Sequence, residues 1–147
     1  MYKIVVDTNI LLSALFSNRG KSFWLIEYLA LKAKEGIKYN CISVPLALEF
    51  EEVLLRPQNR TKYDYFTQED IRLIISDIVH ISHKVRLHFL WRPFLRDSFD
   101  DKVLETAVNG GANAIITFST QDFEGVERYF GIEILTPAQL FDKGVLS

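Results

Sequence analysis

Lys3-Ile4-Val5-Val6-Asp7-Thr8-Asn9-Ile10-Leu11-Leu12-Ser13-Ala14-Leu15-Phe16 changes character at Asp7. Before it stands a β-branched run suited to a strand buried on both faces. After it the apolar positions follow a helical pattern. A carboxylate therefore sits at the carboxyl end of a buried strand, a costly place for charge unless donors or a cation meet it. The ordinary alternative is a helix N-cap, for which aspartate is among the favoured residues.

The same alternation recurs downstream. Residues 21–35 read as a helix stopped by Gly36, and 40–44 as a strand running into Pro45, the first residue of a helix that reaches about Arg56 before Pro57 ends it. The polar, basic stretch from Gln58 to Phe66 reads as a loop. Thr67 with Asp70 forms a capping-box pattern that opens a helix through Val79. Residues 84–91 alternate in part, at Val85, Leu87 and Phe89, and suit a strand, while His88 to Phe94 suits a buried loop equally well. A helix over 100–109 closes at Gly110-Gly111, a strand covers 114–117, a helix 123–130 ends at Gly131, and a strand 132–135 precedes a short helix 137–141. Nearly continuous apolar strands alternating with helices predict an α/β fold, a three-layer α/β/α sandwich around a parallel sheet of four to five strands. In such open sheets ligands bind beyond the carboxyl ends of the strands. Asp7 and the residues after Thr117 fall there.

A chain of 147 residues with 48% hydrophobic content supports one core, so residues 1–147 are expected to form a single domain. A net charge of −2 excludes a wholesale cationic coat, so any polyanion must be met by a local basic patch or by metal ions. The single cysteine, Cys41, lies in an apolar stretch and reads as a reduced core thiol, which suits a cytoplasmic protein. Asp7 and Asn9 interrupt the N-terminal apolar run, so it does not read as a signal peptide. No window approaches the roughly 18 apolar residues of a membrane span.

The acids carry the chemistry. On a helix from Pro45, Glu49 shares the inward stripe of Leu46, Phe50 and Val53, whereas Glu51 and Glu52 fall on the flank or outside. A boundary residue that reaches out to solvent is the plainer reading of Glu49. In Arg96-Asp97-Ser98-Phe99-Asp100-Asp101-Lys102, Asp100 shares a face with Leu104 and Ala107 and points inward, Asp101 points outward, and Asp97 is a cap or a partner of the site. Asp122 stands at the same end of the sheet as Asp7 and suits an N-cap for the helix beginning at Phe123. Three inward acids from separate segments need positive charge to coexist. Mg²⁺ or Mn²⁺ suits an all-oxygen set, and His80, His83 and His88 with Cys41 do not fall at zinc spacing.

Together these pieces resemble the PIN-domain family, within it the VapC-type toxins of toxin–antitoxin systems. The resemblance rests on Val5 to Leu15, on Ser43 through Glu49-Phe50-Glu51-Glu52-Val53-Leu54 to Arg56-Pro57, on Arg96-Asp97 to Asp100-Asp101-Lys102-Val103-Leu104-Glu105, on Ala114 to Phe118, on Asp122-Phe123 and on Thr136-Pro137. It implies that Asp7, Glu49 and Asp100 are the catalytic, metal-binding acids, with Asp97 and Asp122 as further candidate ligands. Thr8, Asn9, Thr117 and Ser119 then orient the acids or the substrate. The family often carries Asp or Asn where this chain has Ser119, which contributes no charge and leaves a second metal site in doubt.

The implied activity is metal-dependent endonucleolytic hydrolysis of single-stranded RNA, by one Mg²⁺ or Mn²⁺ ion, as the toxin of a toxin–antitoxin pair. Arg19, Lys21, Arg56, Arg60 and Lys62 are candidate RNA contacts, although each is equally an ordinary solvated charge. A cognate antitoxin is the expected partner. Tyr63, Tyr65 and Phe66 look exposed and suit either the stacking of bases or, the preferred reading, a homodimer interface. One rival is a catalytically weak or inactive PIN-like module that binds RNA or protein. A more distant one is an aspartate-nucleophile phosphatase, which usually carries a second acid where Asn9 stands.

Overall fold

A computed structural model of the chain describes residues 1–89, 95 and 98–146, without the side chains of residues 98–100. The expectations for Asp97 and for residues 90–94 lie outside the described residues, as does the side chain of Asp100.

β1 (Ile4–Val6) is wholly buried, as its β-branched composition requires, and α1 (Thr8–Phe16) follows at once. β1 pairs in parallel with β4 (Ala114–Ile116), which pairs in parallel with β5 (Glu133–Leu135). A second parallel pair joins β2 (Cys41–Ile42) to β3 (His83–Lys84). A parallel sheet is thus present, but not the continuous one of four to five strands that the sequence suggests. Among the described residues a three-stranded and a two-stranded sheet are joined by an isolated bridge between Ile4 and Asn40.

Asn40 explains the interruption. Its buried side chain accepts from Val6 N–H at 3.1 Å, where a neighbouring strand would offer a carbonyl, and donates to Ser82 Oγ at 2.9 Å. Ser82 in turn donates to Ile78 O at 2.6 Å. An amide side chain has taken the place of main-chain pairing while leaving each buried polar group satisfied.

Around the sheets lie α2 (Lys21–Lys34), α3 (Val44–Leu54), α5 (Gln68–Ile81), α6 (Ser98–Gly110) and α8 (Pro137–Lys143). α6 rests on β1, β2 and β4 and on α3, and α1 packs on α2. The Thr67–Asp70 capping box opens α5 as expected, and a second box at Thr136–Gln139 opens α8. Among the described residues no helix is long and apolar enough to cross a membrane.

Two segments depart from the local patterns. The stretch expected to be a loop holds α4 (Pro57–Arg60) and a 3₁₀ turn (Thr61–Tyr63). Tyr63 is 1% exposed, with its hydroxyl donating to Leu54 O at 2.7 Å, so it closes the end of α3 and belongs to the core. It is not available to a dimer interface. The helix expected over 123–130 is broken. A 3₁₀ turn (Thr120–Phe123) precedes Gly125, whose φ of 90° admits glycine readily, and α7 (Val126–Phe130) begins only after it.

Candidate active site

Asp7 leaves β1 as the N-cap of α1 and is 6% exposed. Its Oδ1 accepts from Thr8 N–H at 2.7 Å and its Oδ2 from the Thr117 hydroxyl at 2.8 Å. The cap and the candidate ligand are therefore one carboxylate, and the two readings of Asp7 do not compete.

Thr117 follows β4 directly and is fully buried. While donating to Asp7, its oxygen accepts from Asn9 Nδ2 at 3.3 Å and from Ser119 N–H at 3.0 Å. One donor and two acceptor positions are all a hydroxyl has, so its direction is determined. Asn9 ties the same corner together. Its Nδ2 also donates to Ser119 Oγ at 3.2 Å, and its Oδ1 accepts from Phe118 N–H at 3.3 Å.

Glu49 lies on α3 between the buried Leu46 and Phe50 and is 3% exposed, the inward placement that the helical spacing predicts. Pro45 in the first turn and the Ser43 cap, whose hydroxyl accepts from Leu46 N–H at 3.4 Å, set where that helix begins. The Thr8 hydroxyl donates to Glu49 Oε2 at 2.9 Å. Thr8 thus touches both acids, one through its backbone and one through its side chain. Two buried carboxylates from different elements converge on it.

Asp100 stands in the first turn of α6, where the helix dipole favours an acid. Among the described residues no three Asp, Glu, His or Cys side chains form a metal-holding group. The donors that do converge are buried carboxylate oxygens held by hydroxyl and amide groups. That donor chemistry fits a hard divalent cation such as Mg²⁺ or Mn²⁺.

Other candidates take different places. Asp122 is exposed within the turn Thr120–Phe123 and caps no helix, because α7 starts later than the sequence suggests. Arg19, Lys21 and Lys62 are exposed, Arg56 pairs with Glu52 at 3.4 Å, and Arg60 reaches Tyr63 O at 3.4 Å. His80, His83 and His88 are all exposed, as isolated histidines should be.

Asp101 reverses its expected direction. It is fully buried, with Oδ1 accepting from Leu95 N–H at 2.9 Å and Oδ2 without a hydrogen-bond partner among the described residues. Glu105, one helical turn on, is also fully buried. Apolar spacing assigns α6 an outer face, yet this helix is covered by sheet on one side and by α3 on another. The i, i+4 pairing of two acids was the available signal, and on an isolated helix it would have read as a solvated face.

Residues 3–121 match the family model of the PIN domain. No curated protein matches the chain.

Proposed function

The chain belongs to the PIN-domain family, and on that premise we propose that it is an endoribonuclease cutting single-stranded RNA with the help of Mg²⁺ or Mn²⁺. PIN domains are nucleases, generally metal-dependent and often found in toxin–antitoxin systems. The finer reading for this chain is a cytoplasmic toxin paired with an antitoxin. The observation that carries the metal-dependent nuclease reading is the convergence of Asp7 and Glu49 on Thr8, at 2.7 and 2.9 Å. Two carboxylates held together away from water are hard to account for as caps alone.

In this reading Asp7, Glu49 and Asp100 hold the ion, with Asp97 and the exposed Asp122 as further candidates. When bound, such an ion supplies positive charge to the scissile phosphate and makes water nucleophilic near neutral pH. The protein's own part is to hold the acids still. Thr117 and Thr8 each lock one carboxylate oxygen, and Asn9 keeps the Thr117–Ser119 corner from opening. Ser119 accepts from Asn9 and retains its own proton to offer a phosphate oxygen.

Ser119 also motivates a second reading, a PIN-like module with weak or no cleavage that binds RNA or protein. The phosphatase reading is disfavoured by Asn9, an amide whose two ends are both engaged and which supplies no acid. With Tyr63 in the core, this segment offers a homodimer only Tyr65, which is exposed, and the half-buried Phe66.

Incubation of labelled single-stranded RNA with purified protein in Mg²⁺ or Mn²⁺ tests the proposal, with Asp7→Asn and Asp100→Ala alongside. Cleavage should fall at least about 100-fold in either variant. Equal cleavage by all three proteins would remove the nuclease reading. Metal binding without cleavage would favour the binding module.

A further inference from the structure

We propose that the edge of β3 that is unpaired among the described residues, with the groove beside it, docks an extended segment of another protein in which acidic and apolar side chains alternate.

The edge follows from the pairing. His83 N–H donates to Asn40 O at 2.8 Å and Val85 N–H to Ile42 O at 2.7 Å, so these residues turn their amides toward β2. The strand's alternation then turns the amide and carbonyl of Lys84, and in continued extension those of Arg86, away from the sheet. Among the described residues no strand pairs with β3 on that side.

A cavity of about 410 Å³ lies between the start of α3 and the continuation of β3, lined by Val44, Pro45, Lys84, Val85, Arg86 and Leu87. A smaller one of about 110 Å³ shares Val44, Lys84 and Val85 and reaches Ile42 and Ala47 beneath. Val44 is 72% exposed, so the groove has an unprotected apolar wall.

Charge selects the occupant. Lys84 and Arg86 are both exposed, and neither has a carboxylate partner among the described residues. A second copy of this chain pairing edge to edge would set these cations against each other, the arrangement by which edge lysines prevent self-association. An acidic strand removes that obstacle and satisfies the outward amides by strand addition. Lys84 and Arg86 would attract a phosphate backbone as well, but the valine, proline and leucine walls of the groove and the outward amides of the edge suit alternate apolar side chains and a peptide main chain.

The probe is a ten-residue peptide alternating glutamate with valine, beside a counterpart with lysine for glutamate. The readout is amide hydrogen exchange in the intact protein. The acidic peptide should slow exchange at Lys84 and Arg86 at least about tenfold, and the basic one should not. In the surface variant Lys84→Glu/Arg86→Glu the preference should reverse. Absence of protection in the wild type, or equal protection by both peptides, overturns the proposal. So does protection by single-stranded RNA alone, or protection that tracks self-association in sedimentation without peptide. None of these outcomes bears on RNA cleavage, so the docking edge and the nuclease stand or fall separately.

Discussion

The Thr8 hydroxyl donates to Glu49 Oε2 at 2.9 Å, and the Thr8 backbone N–H donates to Asp7 Oδ1 at 2.7 Å. One residue at the start of α1 therefore sets the position of a carboxylate on α3 relative to the acid that precedes it. Thr8→Val keeps the shape and removes the hydroxyl, leaving Glu49 short of a donor. Stability should fall by about 1–3 kcal/mol in urea titration, and Mn²⁺ affinity by calorimetry roughly 10- to 100-fold. Thr8→Ser should retain most of both. Unchanged Mn²⁺ affinity in Thr8→Val would show that the bridge does not serve the acids.

Ser119 sits where an acid would face the same corner, with its oxygen already accepting from Asn9 at 3.2 Å. Ser119→Asp preserves that acceptance and adds charge. Mn²⁺ binding should tighten by about tenfold, while Ser119→Ala should change it by no more than about twofold. Equal affinity in all three proteins would separate this corner from the metal site.

Asn40 links Val6 N–H to Ser82 at the join of the two sheets. Asn40→Leu is close in size but leaves the Val6 amide and the Ser82 hydroxyl without their buried partner. The expected cost is about 2–4 kcal/mol in chemical denaturation. Asn40 serves the join of the sheets through Val6 and Ser82, so cleavage per folded molecule should be retained. A loss under 0.5 kcal/mol, on the order of an ordinary surface change, would mean water or strand pairing replaces the amide.

Burial raises the Cys41 thiol above its ordinary value, with Lys3 opposing, and burial likewise raises the Tyr63 hydroxyl, with Arg60 opposing. Both groups are neutral when protonated and keep their protons to higher pH when folded. The unfolded chain therefore deprotonates first, so the stability is full below the unfolded-state values and declines as pH rises toward the folded ones. Urea midpoints should hold steady up to about pH 8.5 and fall beyond it. Cys41→Ala should fall less steeply. A midpoint that rose with pH in this range would contradict the buried placement of both groups.

Much of the site can be read locally. The strand that ends in Asp7, the inward position of Glu49 beside Leu46 and Phe50, the Ser43-Pro45 helix start and both threonine-led caps depend on neighbours within one turn or one strand. Hydrophobic period and capping chemistry are properties of such short stretches. Tyr63 and Asp101 went the other way. Polar surroundings suggest an exposed Tyr63 and helical spacing an outward Asp101, but Tyr63 closes the end of α3, and α6 is covered by the sheets and by α3.

The amino-acid sequence by itself determined most of the strands and helices, though not those between Pro57 and Tyr63 or the break at Gly125, that the strands run parallel, and that Asp7 and Glu49 turn toward the interior. Only the tertiary structure decided that Thr8 joins those two acids, that Thr117 and Asn9 hold the corner around Asp7, that Asn40 interrupts the sheet, and that α6 buries Asp101 and Glu105. The division has a physical cause. Periodicity tells a side chain whether it faces inward, but what it meets there is set by the element packed opposite, and that information resides in contacts between distant positions.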